Sequence, residues 1–353
     1  DRTGVNEFYH FNPSTGVLRQ VSSLRHGGED FQYSADGKYL YYQAAYESGM
    51  NLWKYDIQKG TPTKIGTANG KMLWDSKFKT LYVLSDFLYY LAYYVVGYRR
   101  KVVRKNLVNS FPEKTEQEIK ILEKSFYRQF CDQIVEIVKQ VTITNEEMAS
   151  HLYVENKELV EKLRSENRSI VYYLGHIGCW EYVAYFSKAT NTDDLYIGYK
   201  KLTNETFDKL MFDLRAKFGG HPVQDVKLLR TLAQFKKEGK RAELGFLADQ
   251  SPMPDALNYW TTFLNQNTAV IDSIERIARK LDYAVCYFDV TRESRGVYKI
   301  VVKLITDDIS STPQNYVTEQ YTRLLEETIK KQPECFLWSH NRWKYTPADS
   351  TKK

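Results

Sequence analysis

The sequence predicts an α/β protein in which a mixed sheet is flanked by helices and a small all-β segment comes first. Three observations predict it. From residue 115 onward, apolar runs of strand length alternate with segments of helical period. Residues 1–80 hold no helix-period segment, only aromatic and β-branched runs split by turn signals. Between the two lies one apolar, Tyr-rich stretch at 81–98.

Composition narrows the class further. The 353 residues leave room for two or three domains, and 42% hydrophobic with 27% charged residues excludes a disordered chain. A net charge of +6 argues against a nucleic-acid protein and permits an anionic partner or membrane surface. Cys131, Cys179, Cys286 and Cys335 are scattered with no C-x-x-C pair, so neither a zinc site nor a disulfide scaffold is expected, and a reducing compartment is the easier reading. No cofactor is called for. The first residue is Asp1, which suits a processed or truncated start, and the N-terminus does not read as a signal peptide.

The elements follow in order. In 1–80, Glu7–Asn12 aligns with Asn51–Asp56, and Phe31–Tyr42 with Met72–Tyr82. The spacing of about 41–44 residues is that of one propeller blade. Asp36-Gly37 suits a tight hairpin turn. The phrase Tyr33-Ser34-Ala35-Asp36-Gly37-Lys38-Tyr39-Leu40-Tyr41-Tyr42 resembles the blades of the TolB and tricorn-protease propeller families, over about two repeats. Two blades cannot close a ring, and a plain β meander is the alternative.

Residues 81–98 would reach about 27 Å as a helix, barely the hydrocarbon thickness. Their Tyr content suits the lipid–water interface. Arg99, Arg100, Lys101, Arg104 and Lys105 follow at once, as a surface facing anionic phospholipid requires. A buried helix with a solvated basic end is the alternative. Thr115-Glu116-Gln117-Glu118 then reads as a capping box opening a long amphipathic helix. Strands are expected at Ile170–Leu174, Leu195–Tyr199, Leu244–Ala248, Ala284–Val290 and Tyr298–Ile305. Helices are expected at Glu181–Lys188, Asn204–Lys217, Val226–Lys237, Asp272–Lys280 and Tyr316–Lys331. No element is assigned to Ser251–Asn267.

Such sheets carry chemistry where strands end. After the first of these strands, Gly175-His176-Ile177-Gly178-Cys179-Trp180-Glu181 puts a His on the turn and a Glu in the first helical turn. An imidazole there can take a proton from a hydroxyl, and a carboxylate on its other nitrogen would hold the tautomer. A satisfied structural His fits the same residues.

This block resembles the H-x-x-x-x-D/E motif of the lysophospholipid acyltransferase superfamily, and more narrowly the bacterial lipid A biosynthesis acyltransferases of the lauroyl/myristoyl type. Further blocks follow in the order of that family: Tyr199–Asn204, Leu214–Gly219, Leu247-Ala248-Asp249-Gln250 and Pro333–Lys344. Upstream, Tyr98-Arg99-Arg100, Asn106-Leu107 and Ser110-Phe111-Pro112 fit too. The resemblance covers about 81–347, which divides the chain into a blade-like segment (1–80), an acyltransferase domain (81–347) with its interfacial helix, and a tail (348–353).

The resemblance implies a lysophospholipid-acyltransferase-like fold. It implies transfer of a fatty acyl chain from acyl-carrier protein or acyl-CoA to a hydroxyl of a lipid A precursor, at the cytoplasmic face of the bacterial inner membrane. It makes His176 the general base and Glu181 its orienting partner. Arg215 would bind an anionic group, with Lys200 and Asn204 assisting, and Asp249 would fix a turn or a substrate hydroxyl. A surface salt bridge for Arg215, a solvated position for Lys200, a helix cap for Asn204 and a structural cap for Asp249 are the plainer alternatives. Trp338, His340, Arg342 and Trp343 read as packing and surface. The sequence departs from the family at Cys179, where Asn is common, at Phe263-Leu264-Asn265, which lacks a frequent Gly, and at its β-rich beginning, which suggests a chimeric chain. Another glycolipid or an amino-acid lipid as acceptor is a second reading, and a propeller-type binding protein with an inactive C-terminal part is a third.

Overall fold

The computed structural model describes residues 9–12, 17–21, 28–33, 38–46, 49–67 and 76–351. Its contacts divide into two units, 1–79 and 80–353.

In the first unit, β1 (Tyr9–Asn12) and β2 (Val17–Gln20) form an antiparallel pair. β3 (Gly28–Tyr33), β4 (Tyr39–Tyr46), β5 (Gly49–Asp56) and β6 (Thr61–Thr67) form a four-stranded antiparallel meander. Strand alternation puts Leu40 and Tyr42 on one face, and register sets them opposite Tyr55 and Trp53. Val21, Leu40, Tyr42 and Tyr55 are the buried centre of this unit. The Asp36-Gly37 turn lies outside the described residues. The second repeat is corrected: residues 76–82, aligned above with a blade strand, begin a helix.

That helix, α1 (Ser76–Tyr90), runs on as a π-helical turn over Leu91–Val96 and stops at Gly97, whose φ of +63° suits a residue without a Cβ. α2 (Arg100–Ser110) and α3 (Glu116–Gln140) follow. The capping box at α3 is formed in both directions, Thr115 accepting from Glu118 N and Glu118 from Thr115 N.

The remaining elements of the second unit follow in order. They are α4 (Asn145–Met148), β7 (Leu152–Glu155), α5 (Lys157–Ser165), β8 (Ile170–Leu174), a 3₁₀ turn at Trp180–Tyr185 and α6 (Phe186–Ala189). Next come β9 (Leu195–Tyr199), α7 (Glu205–Ala216), β10 (His221–Gln224), α8 (Asp225–Lys237) and β11 (Glu243–Leu247). The hairpin β12 (Tyr259–Phe263) and β13 (Gln266–Val270), α9 (Ser273–Leu281), β14 (Ala284–Ser294), β15 (Val297–Thr306) and α10 (Tyr316–Lys331) complete it.

Seven strands make one mixed sheet in the order β10-β9-β11-β8-β14-β15-β7, parallel except for the β14–β15 hairpin. β8 is buried along its whole length, as a central parallel strand with both faces covered must be. At the N-terminal edge of β11, buried Glu243 is held by Arg164 (2.6 Å), Arg241 (2.9 Å) and the Tyr172 hydroxyl (3.0 Å). The chemistry-bearing residues lie at the opposite edge.

The expected helix Glu181–Lys188 is corrected to the 3₁₀ turn followed by α6. The unassigned loop contains the β12–β13 hairpin, whose two turn residues Leu264 and Asn265 both take positive φ (48° and 62°). Leu264 holds a conformation that favours Gly and is wholly buried there. All four cysteines are buried and free.

Candidate active site

β8 and β11 are parallel neighbours, with Leu174 opposite Leu247. Two residues past each partner stand His176 and Asp249, so the register alone brings them together. Gly175 leaves room for the Leu325 side chain, whose Cδ1 would lie 2.5 Å from a Cβ placed there. Ala248 N donates to Leu174 O (3.3 Å), and Ile177 bridges to Phe336.

His176 Nδ1 lies 2.6 Å from Asp249 Oδ1. Asp249 is buried at 4% exposure and His176 is 12% exposed at its side chain. Burial pushes the Asp249 carboxyl up, but the charge and hydrogen bond of His176 outweigh it and hold the group below the usual carboxylate range. An ionised Asp249 fixes the Nδ1–H tautomer and leaves the Nε2 lone pair as an acceptor. Gln250 Nε2 lies 3.1 Å from that nitrogen, and Trp180 packs edge-on against the ring at 4.7 Å.

The expectation that Glu181 orients His176 is corrected. Both Glu181 oxygens are occupied by Arg215, Nη2 to Oε1 at 2.6 Å and Nε to Oε2 at 2.9 Å. The 3₁₀ geometry turns the Glu181 side chain toward α7, where Arg215 sits in the last turn. This pair walls a small apolar cavity of about 40 Å³ beneath the strand ends, lined by Leu174, Leu247, Ile197, Phe288 and the bare backbones of Gly198 and Gly245.

The other expected residues divide. Lys200 is exposed just past β9 and touches only Met253 Sδ (3.7 Å) among the hydrogen-bond partners described. Asn204 is the N-cap of α7, accepting from Phe207 N at 2.9 Å, which is the plainer alternative named above. Of the five expected membrane cations, Arg100 and Arg104 hold buried Glu123, and Arg99 donates to Ser339 O.

Sequence reasoning missed the C-terminal strap. Ser251 N donates to His340 Nε2 (3.2 Å), and Ser251 Oγ to Arg342 O (2.6 Å). Burial pushes the His340 imidazole down to about 4. Arg342 is buried, and burial lowers its guanidinium to about 10 against the opposing pull of Asp249. These residues back the Asp249 turn instead of lying on the surface. The signal that could have found them is the run of polar residues Ser339–Arg342 between two tryptophans.

A His–carboxylate pair set at the carboxyl ends of two parallel strands, beside a small apolar cavity, suits proton transfer next to an apolar group. The comparison with protein families agrees: residues 71–345 match the model described as bacterial lipid A biosynthesis acyltransferase, and the chain belongs to that family. It is an acyltransferase acting on a lipid A-like substrate. No curated protein matches the chain.

Proposed function

We propose that the chain moves a fatty acyl group from the thioester of acyl-carrier protein or acyl-CoA to a hydroxyl of a lipid A precursor, with His176 as general base. The observation that carries this is the 2.6 Å His176–Asp249 contact, which leaves Nε2 to the Gln250 amide. The acceptor hydroxyl displaces the Gln250 amide and gives its proton to Nε2 as its oxygen attacks the thioester carbon. Asp249 stabilises the imidazolium that forms. When the tetrahedral intermediate collapses, the C–S bond breaks and Nε2 returns the proton to the leaving sulfur. The ester is formed with no acyl-enzyme.

The acyl tail enters at the small cavity under the strand ends, whose apolar lining suits hydrocarbon. Glu181 fixes Arg215, whose Nη1 has no bond to a described residue and meets an anionic group of donor or acceptor. Lys200, at the same sheet edge, assists.

Contact with the cytoplasmic face of the inner membrane is part of this proposal. No helix among the described residues is long and apolar enough to cross a membrane. The reading is instead supported by the surface of α1 and its π-helical turn, where Val83, Phe87 and Val95 are 65%, 64% and 76% exposed. Lys101 and Lys105 of the following helix α2 are exposed, form no ion pair with a described residue and supply cations for an anionic surface.

The test supplies the full chain with acyl-carrier-protein and, separately, acyl-CoA thioesters, and with a lipid A precursor in mixed micelles. Mass spectrometry should show the acceptor gaining one acyl group. Gain by another glycolipid or an amino-acid lipid, and none by the lipid A precursor, would overturn the acceptor.

A further inference from the structure

Among the fully buried carboxylates that the mechanism leaves without a task, Glu136 is the one bonded to both α1 and β15. Glu136 lies in α3 at 0% exposure, and burial raises its carboxyl to about 7. Tyr82 of α1 donates to Glu136 Oε1 at 3.1 Å, and Tyr298 of β15 donates to Oε2 at 2.8 Å. Gln129, two turns earlier on α3, donates to the Tyr298 hydroxyl at 3.0 Å.

The far side of this network is the loop that carries His176. The Tyr298 ring fills the place where a Cβ of Gly178 would stand, and Gly178 has a φ of +55°, so both space and backbone require glycine there. The adjacent Cys179 thiol is buried, and after burial the charge of Glu136 is what most raises it. One helical turn along α3, Gln140 Nε2 donates to Glu181 O at 3.2 Å. Thus α3 touches the block at Cys179 and Glu181, and Tyr298 touches it at Gly178.

The near side is α1. Ser85 donates to Asp132 at 2.6 Å, while Arg295 in the β14–β15 turn pairs with Asp86 at 2.7 Å and lies 4.4 Å over the Tyr82 ring. The same helix presents Val83 and Phe87 to solvent. One face of α1 is therefore apolar and open, and the other is bonded to the support of the reactive loop.

We propose that Glu136 is a positioning residue that ties the seating of α1 to the loop carrying His176, so that contact of α1 with a lipid surface is transmitted to the transfer site. Removal of one phenol leaves a buried carboxylate oxygen unpaired, and the strain falls on α3 and Tyr298, the two elements against which Gly178 and Cys179 pack.

Hydrogen exchange tests this without requiring turnover. The full chain is mixed with phosphatidylglycerol vesicles, and exchange is followed by mass spectrometry in α1 and in 175–182. Vesicles should slow exchange in both segments of the unaltered chain, about threefold or more. In Tyr82→Phe and Glu136→Gln they should slow α1 alone. No response of 175–182 in the unaltered chain, or an equal response in Tyr82→Phe, overturns the inference.

The kinetic counterpart rests on the acyl-transfer reading. In folded Tyr82→Phe, kcat should fall about tenfold with KM unchanged. Unchanged kcat beside an active unaltered chain overturns the coupling alone. An inactive unaltered chain overturns the acyl-transfer reading, and the exchange result still decides the coupling. Tyr82→Phe deletes a single oxygen, which guards against the case in which Glu136→Gln fails to fold.

Discussion

Replacing Asp249 by Asn separates the role of its charge from that of its shape. The isosteric amide keeps an oxygen that can accept from His176 Nδ1, now at 2.6 Å from Oδ1, so the ring can stay where it is. What disappears is the charge opposite the imidazolium. With charge centres about 4 Å apart and an effective dielectric of about 20, that attraction is about 4 kcal/mol. Because it exists only after the proton has moved, its loss falls on the transition state, about 10³-fold in kcat. An amide turned the other way would donate to Nδ1 and put the proton on Nε2, removing the base and enlarging the loss to about 10⁴-fold. The assay is single-turnover acyl transfer with saturating donor, beside KM for the acceptor and thermal unfolding. A folded Asp249→Asn variant within tenfold of the unaltered kcat would refute the assignment of Asp249 as the partner of His176.

Other expectations are more local. Glu181→Gln removes the counter-charge of the largely buried Arg215, so it should act first on stability, by about 3 kcal/mol in denaturant unfolding. Gly245→Ala places a methyl group in the cavity, where its Cβ meets nothing nearer than Tyr196 O at 4.0 Å. It should shift donor preference toward shorter chains, by about fourfold in kcat/KM per methylene excluded, read across a series of acyl donors. His340 is held down to about 4, below its unfolded value of about 6.5, so the native state binds fewer protons between these values. Its contribution is complete above pH 6.5 and is lost as pH falls toward 4. It amounts to about 1–2 kcal/mol after discounting for partial exposure, and His340→Gln should flatten the unfolding profile in that window. Lys101→Glu with Lys105→Glu should weaken cosedimentation with anionic vesicles at least tenfold and abolish its salt dependence, since each cation near such a surface is worth about 1 kcal/mol.

The sheet was legible in the sequence because its central strands are continuous apolar runs. Leu195–Tyr199 and Tyr316–Lys331 fall where periodicity puts them. The short edge strands β7 and β10 were not, because four residues carry no periodic signal. His176 was legible from its block, but its partner was not. Spacing along the chain points to Glu181, five residues on, whereas Asp249 arrives from a strand 73 residues away through the Leu174–Leu247 register. Chain order does not say which strands are neighbours. The β12–β13 turn was hidden for a different reason, because Leu264-Asn265 takes positive φ without the glycine that announces it. The alignment of 76–82 with a blade strand failed because aromatic residues at Phe78 and Tyr82, four apart in the sequence, serve a helix as well as they serve a strand.

The central claim is that His176 Nε2 takes the proton of an acceptor hydroxyl during acyl transfer. The most direct measurement compares the full chain with its His176→Ala variant, each given the same acyl-carrier-protein thioester and lipid A precursor, with the acceptor mass read after one turnover. The account predicts one added acyl group with the unaltered chain and none above the uncatalysed background with His176→Ala. Equal acylation by the two proteins would contradict it.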